Sequence, residues 1–331
     1  MAALRSLRAP FLQRSAPVLQ RYFGAAAAAP SLSAIKELRE LSGAPIVDCK
    51  KALAEGGGDM DAAWEWLRKR GAAVGQKVAS REAKEGLVGV ISSGNTGAIV
   101  ELNSETDFAA RNENFQQLLT SLCGSALQQP DGAIDIDTFS SSPTDVGGTV
   151  TDAMTELTGK MRENLKLRRA HRVAVEQGTV ASYVHGAVAA GMGRMGAIVA
   201  LDATGEQGPI EALGKQIAMH VVAARPAYLS RDLVPAHVTE REKRILAESV
   251  PAGKPENVVE KIVEGKLNKF YKETVLLEQQ FMLSEDKISV QDAVDAAAKE
   301  FGAPIEVSDF VRFECGEELE QLDGHEGEEA A

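Results

Sequence analysis

Three cysteines in 331 residues, Cys49, Cys123 and Cys315, are too far apart to form a disulfide framework, and their number is odd. No CxxC pair is present to hold zinc. That usage suits a reducing compartment. The five histidines (His171, His185, His220, His237 and His325) show no metal-ligand spacing. HExxH and GxSxG are both missing. The nearest approach to a phosphate loop is "GPIEALGKQ" (Gly208–Gln216), which places five residues between its glycines where that loop needs four. Gln216 also stands where a Ser or Thr would hold magnesium. No apolar run approaches the ~18–20 residues that cross a bilayer. No cofactor, metal, membrane or direct nucleotide site is therefore expected, and no residue nominates itself for acid–base or nucleophilic chemistry.

Acids are missing from the start of the chain; the first is Glu37. The stretch before it, "MAALRSLRAPFLQRSAPVLQRYFGAAAAAP", carries Arg5, Arg8, Arg14 and Arg21 among scattered Leu and Ser. That is the composition of a mitochondrial transit peptide, expected over residues 1–30. A secretory signal would need an unbroken apolar core, which the arginines interrupt. Loss of residues 1–23 leaves 32 bases against 48 acids, a net charge of −16. Such a chain is a poor general binder of phosphate backbones, so proteins with basic surfaces, rather than nucleic acid, are the expected partners.

What is present is a globular composition, 44% hydrophobic and 25% charged, with length for two or three domains. The pattern reads as α+β. Residues 31–71 predict three short helices. Leu32, Ile35, Leu38 and Leu41 recur three apart before Gly43, a natural stop. Pro45 suits the first turn of the second helix, which ends at Gly56-Gly57-Gly58. Asp59 caps the third, closed by Gly71, with Trp64 and Leu67 expected inward. Residues 72–85 read as a charged linker.

A duplication follows. "GLVGVISSG" then "GAIVEL" (86–102) is echoed by "GTVASYVHG" then "GAIVAL" (178–201). Each predicts a two-stranded hairpin and then a helix, in antiparallel sheets, the second hairpin loop being seven residues longer. One core subdomain is expected over 86–150 and a related one over 151–229 and 284–317. Between the last two, residues 230–283 predict a helical hairpin turned at Pro251, Gly253 and Pro255. A last strand alternates Val307, Asp309, Val311 and Phe313 and is expected to join the second sheet. Residues 318–331 form an acidic tail.

The first repeat carries the stretch "NSETDFAARNENF" (Asn103–Phe115) between its second strand and its helix. Asn112 is the expected helix cap and 103–111 the expected loop. Two readings of Asp107-Phe108 stand side by side. Thr106 or Asp107 caps a short turn and Phe108 folds onto the core, or the loop presents a ring and a carboxylate to a partner.

The segments "LRELSGAPIVDCKKAL" (38–53) and "TDFAARN" (106–112) resemble the two signature segments of the elongation factor Ts family. The resemblance continues through "SYVHGA" (182–187), "IAMHVVAARP" (217–226), "KIVEGKLNKF" (261–270) and "FVRFECGE" (310–317). With the basic leader, the chain looks like a mitochondrial form. The resemblance implies a guanine-nucleotide exchange factor for the GTPase elongation factor Tu. It also implies a three-helix module like the ubiquitin-associated domain and a coiled-coil insertion. It places Asp107 and Phe108 between helices of the GTPase domain, near the magnesium and phosphate site. Arg39, Ile46 and Val47 would touch that domain, and His185 and His220 would lie near the partner's other domains. Two departures stand out. Gly43-Ala44-Pro45-Ile46-Val47 replaces the common "GAGMM", and the carboxy-terminal helix of bacterial relatives has no counterpart. The rival reading is a non-catalytic adaptor that binds proteins through the amino-terminal module.

Arg21 lies three residues before Gly24, so cleavage is expected near Phe23. Edman sequencing of the protein from mitochondria should begin there; a mature chain that still starts in the initiator region contradicts the targeting expectation.

Overall fold

The computed structural model describes residues 30–145, 147–204, 207–251 and 255–318. The basic leader (1–29), the tip of the expected helical hairpin (252–254) and the acidic tail beyond 318 lie outside the described residues. The chain divides into two compact units between Leu67 and Arg68.

The amino-terminal unit holds helices α1 (Leu32–Ser42), α2 (Ile46–Glu55) and the start of α3 (Met60–Val78). Ser31 caps α1 by accepting the Ala34 N–H at 3.1 Å, and Gly43 closes it in the left-handed conformation at φ 64°. Asp59 caps α3 through the Ala62 N–H at 2.7 Å. Ile35, Leu38, Cys49, Ala52, Leu53 and Ala63 form the core, with Trp66 and Leu67 packed against it. Leu32 and Leu41, which share the spacing of three with buried Ile35 and Leu38, are 81% and 64% exposed. The reason is geometric. A spacing of three falls about 60° short of a full turn, so four such residues spread over half the helix and only the middle pair faces in. Trp66, three residues after buried Ala63, takes the inward place expected for Trp64, which is exposed.

The first half of the expected linker is helical, because α3 runs through Gly71 to Val78. Gly71 does not stop the helix. It lies so close to α7 (Val150–Met161) that a β-carbon on Gly159 would sit 2.6 Å from the Gly71 Cα. Here glycine serves a close helix crossing, which leaves the same mark in the sequence as a terminator.

The second unit is built on two antiparallel sheets. The first has strand order β3 (Gly132–Ile134), β4 (Lys166–Ala174), β2 (Thr96–Ser104), β1 (Glu85–Ser93), β6 (Met192–Gly193). The second has β5 (Gly178–His185), β7 (Met195–Ala203), β8 (Ile305–Glu314). Successive residues of β2 and β7 enter different cores. Ile99, Ile198 and Ala200 fill a core shared by both sheets. Ala98 and Val100 pack beneath α5 (Glu113–Ala126) and α7. Ala197, Val199 and Leu201 pack beneath α8 (Gln207–Ala224) and α11 (Val290–Phe301). Strands covered on both faces need continuous apolar runs, which is why "GAIVEL" and "GAIVAL" do not alternate.

The duplication extends to backbone detail. Gly86 and Gly178 begin the two hairpins with φ 133° and 135°. A β-carbon on either would collide with a carbonyl oxygen across the ladder, that of Leu102 or Leu201. The longer second hairpin loop forms β6, which pairs with β1 and buries Met192 in the first core. β8 joins the second sheet as expected, but its alternation flips at a bulge. Leu201 pairs with Val307 and Ala200 with Asp309, so Val307 faces α8 while Phe313 enters the shared core.

Helices α9 (Ala236–Glu248) and α10 (Glu256–Thr274) pack on each other and bury only Leu267. The segment after them, expected to belong to the insertion, returns into the second core with Val275, Leu276 and Phe281 buried.

Gly178→Ala is expected to lower unfolding free energy by about 2 kcal/mol or more, since the collision is with backbone. Gly265, mid-helix in α10 with open space around it, is the control. Gly265→Ala should raise stability by about 0.5–1 kcal/mol. Urea denaturation of both variants checks the pair.

Candidate functional site

Between β2 and α5 the chain makes one helical turn, α4 (Asp107–Ala110), where a loop was expected. A helix this short cannot hold itself, because nucleation fixes several residues for few hydrogen bonds. It is held from outside. Thr106 is extended at φ −129° and caps the turn, its Oγ1 accepting the Ala109 N–H at 3.2 Å. Ser104 Oγ donates to the Thr106 carbonyl at 2.9 Å. Asn112 caps α5 by accepting the Asn114 N–H at 2.9 Å.

A second clasp comes from the turn that follows α7. Arg162 ends that helix in the left-handed region at φ 59°. Beyond it, Glu163 accepts both the Thr106 N–H at 3.1 Å and the Thr106 hydroxyl at 2.8 Å. In return the Asn164 N–H donates to Glu105 Oε1 at 2.6 Å. Glu105 also pairs with Arg81 at 3.3 Å, and the Asn164 amide donates to the Arg81 carbonyl at 2.7 Å. No periodic or motif signal marks these residues, since Glu163 meets Thr106 across 57 positions of sequence.

The result divides the two readings of the loop. Thr106 does cap a short turn. Phe108 does not fold back; it is 80% exposed, while Ala109 and Ala110 beneath it are buried. The core under the turn is filled by Phe115, Leu119 and Leu122 of α5, with Leu118 beside them. Asp107 also faces solvent and pairs with Arg111 at 3.3 Å. Such an exposed pair is worth little, so the carboxylate is available to another partner.

Arg39, Ile46 and Val47 lie in the amino-terminal unit, around the turn that joins α1 to α2. Arg39 is exposed in the last turn of α1. Ile46 and Val47 are 50% and 58% exposed because the inward positions of α2 are taken by Cys49, Ala52 and Leu53. Leu41, near the end of α1, is 64% exposed as well.

The two histidines differ in kind. His185 ends β5, exposed, with Nδ1 3.3 Å from the Tyr183 hydroxyl. His220 is 1% exposed, so it does not offer its ring to a partner. Its Nδ1 accepts the Met282 N–H at 3.3 Å, which leaves the proton on Nε2 to donate to Gln279 Oε1 at 3.0 Å. Gln279 in turn donates to the Glu273 carbonyl at 2.8 Å. His220 therefore ties α8 to the segment that re-enters after α10.

Burial pushes the His220 pKa below its ordinary 6.5, with the Gln279 hydrogen bond opposing in part. The unfolded chain takes up that proton near 6.5 while the folded chain resists it. Stability from this group is therefore full above about 6.5 and is lost as pH falls below it. Between pH of about 7.5 and 5.5 the melting temperature should fall less steeply for His220→Gln than for the parent. Parallel curves contradict the assignment.

A family model described as "Elongation factor TS" matches residues 105–317, beginning at the clasped turn. Over 289 residues the chain is 46% identical to "Elongation factor Ts" of Allorhizobium ampelinum, covering 87% of this chain and 92% of that one. It is 45% identical over 290 residues to the protein of the same name from Parvibaculum lavamentivorans, covering 87% and 93%. Against that of Rhodospirillum centenum it is 44% identical over 293 residues, covering 88% and 94%. With more than half its length matched by the family model, and these relatives covered almost end to end, the chain belongs to the elongation factor Ts family.

Proposed function

We propose that this chain is a guanine-nucleotide exchange factor for elongation factor Tu, acting in the mitochondrial matrix after loss of its leader. The observation that carries the reading is Phe108, a large apolar ring held 80% exposed on a turn fastened at both ends. Family membership gives that ring its partner, a translation GTPase. Arg39, Ile46 and Val47 form a second contact with the GTPase domain, on a module like the ubiquitin-associated domain. His185 lies at a third contact, and His220 serves it indirectly by fixing the Met282 segment. The α9–α10 pair is read as a coiled-coil insertion that adds affinity through a separate surface.

Exchange of this kind works by linkage. A factor that binds nucleotide-free GTPase better than the GDP form must weaken GDP by the same ratio. It needs no proton transfer and no covalent step. Burying a phenyl ring in a slot supplies about 1.5–3 kcal/mol. A carboxylate brought near magnesium and phosphate adds a competing charge. Differential binding of a few kcal/mol raises GDP release by orders of magnitude. The adaptor reading predicts instead that GDP release ignores this chain, whatever residues 31–71 bind.

Phe108→Ala should leave unfolding free energy within about 1 kcal/mol, because the ring has no core contact to lose. Exchange should fall roughly 30-fold, as expected for a binding anchor. Asp107→Ala should slow GDP release more than it weakens complex formation. Fluorescent-GDP release from elongation factor Tu, read beside a melting curve, checks both variants. Early melting with normal exchange contradicts the reading.

A further inference from the structure

We infer that Glu163 is a positioning residue for exchange, setting the direction of the Asp107-Phe108 tip through Thr106. The inference rests on the exchange reading above and adds to it a residue that acts through Thr106. Three observations carry it.

First, the Glu163 carboxylate takes both polar hydrogens of Thr106, the backbone N–H at 3.1 Å and the hydroxyl at 2.8 Å. A hydroxyl whose proton is committed in one direction has its lone pairs committed in the other. That leaves Thr106 Oγ1 facing the Ala109 N–H it caps, at 3.2 Å. Glu163 therefore fixes the rotor of the cap as well as the strand that leads to it. Without the acceptor, the hydroxyl is free to rotate away and the one-turn helix loses its first hydrogen bond.

Second, the neighbouring bonds run the other way. The Asn164 N–H donates to Glu105, and the Asn164 side chain donates to the carbonyls of Arg81 at 2.7 Å and Ala79 at 3.3 Å. Residues 105–106 and 163–164 are thus joined reciprocally, and the joint is tied to the end of α3. A bracket with bonds in both directions resists sliding along either chain, which a single bond does not.

Third, the bracket lies under the turn and not in a core. Thr106, Glu163 and Asn164 each keep part of their surface in solvent, whereas Ala109, Ala110 and Leu165 beside them are buried. Its loss should therefore loosen the tip without unfolding the unit. The distinction matters for an anchor. A ring that must enter a slot in one orientation loses affinity when its direction is averaged over many, because ordering is then done at the moment of binding.

The test uses full-length chain carrying Glu163→Ala, Glu163→Gln, Phe108→Ala and the double variant Glu163→Ala/Phe108→Ala. Amide hydrogen exchange at Ala109 reads the bracket with no partner present. It should quicken in Glu163→Ala and quicken less in Glu163→Gln, whose amide oxygen still accepts one of the two bonds. Fluorescent-GDP release from elongation factor Tu should slow at least about tenfold in Glu163→Ala, with partial rescue in Glu163→Gln. In the Phe108→Ala background the same change should cost less than about twofold, because a residue that acts through the ring has nothing left to position. Unchanged Ala109 exchange overturns the inference. So does a loss in GDP release that is undiminished in the Phe108→Ala background. If Phe108→Ala alone leaves GDP release as fast as the parent's, the ring's anchor role falls; if the parent chain itself does not speed GDP release, the exchange reading falls, and both outcomes are separate from the first two.

Discussion

Glu101 lies on β2 with no exposed surface, and its carboxylate is surrounded by donors. Arg168 reaches it at 2.9 Å, Arg169 at 2.6 Å, the Asn103 amide at 3.1 Å and the Gly316 N–H at 2.8 Å. A buried carboxylate without such partners would be strongly destabilising. With them, it fixes three pieces of chain at one point: β2, its neighbour β4, and the exit of β8. Arg169 extends the tie, lying 4.0 Å from the Phe313 ring centre and bonding Glu317 at 2.6 Å. The point matters because β2 ends at Ser104, just before the clasped turn. The position of the tip is therefore inherited from a strand that has little freedom to move.

The architecture then separates two tasks that one residue cannot do together. Folding is served by residues that alternate between the shared core and the two outer cores. Presentation is served by a turn whose inward residues are two alanines, so that the outward ring adds nothing to the core. The repeat makes this affordable. Both halves use the same hairpin with a left-handed glycine at its start, and the first half places its variation in the connection to the helix. In the second half the variation sits in the hairpin, where β6 stitches the two sheets together. A scaffold of this kind can change what its connections display without changing what its strands bury.

Much of this was legible in the residues because the signals are local. Asn112 and Asp59 announce caps, the repeated glycine-bounded runs announce the hairpins, and the α5 face from Phe115 to Ala126 announces its own burial. Where the reading failed, the deciding contact was distant. Gly71 looks like a helix stop, and only the approach of Gly159 shows that it is a crossing. Trp64 was expected inward, but Trp66, three residues after buried Ala63, takes that place. The bulge after Val307 reverses the faces of β8 with no mark in the alternation. At the site, Asp107 and Phe108 were visible as an odd pair in a polar stretch. The loop residues alone leave the ring's exposure open; it becomes the favoured reading because the α5 face from Phe115 to Ala126 is already full without Phe108 and the family resemblance gives the ring a partner. Glu163 was invisible for the same reason as Gly159: a hydrogen bond across 57 residues leaves no periodicity.

The central claim is that the ring held outward in the free chain is the part that meets the GTPase. A photoreactive benzophenone amino acid at position 108, irradiated in the presence of nucleotide-free elongation factor Tu, tests it most directly. The account predicts a crosslink from position 108 to the GTPase domain, mapped by peptide mass spectrometry and suppressed by excess GDP. Crosslinks confined to this chain's own residues, or unaffected by GDP, would contradict it.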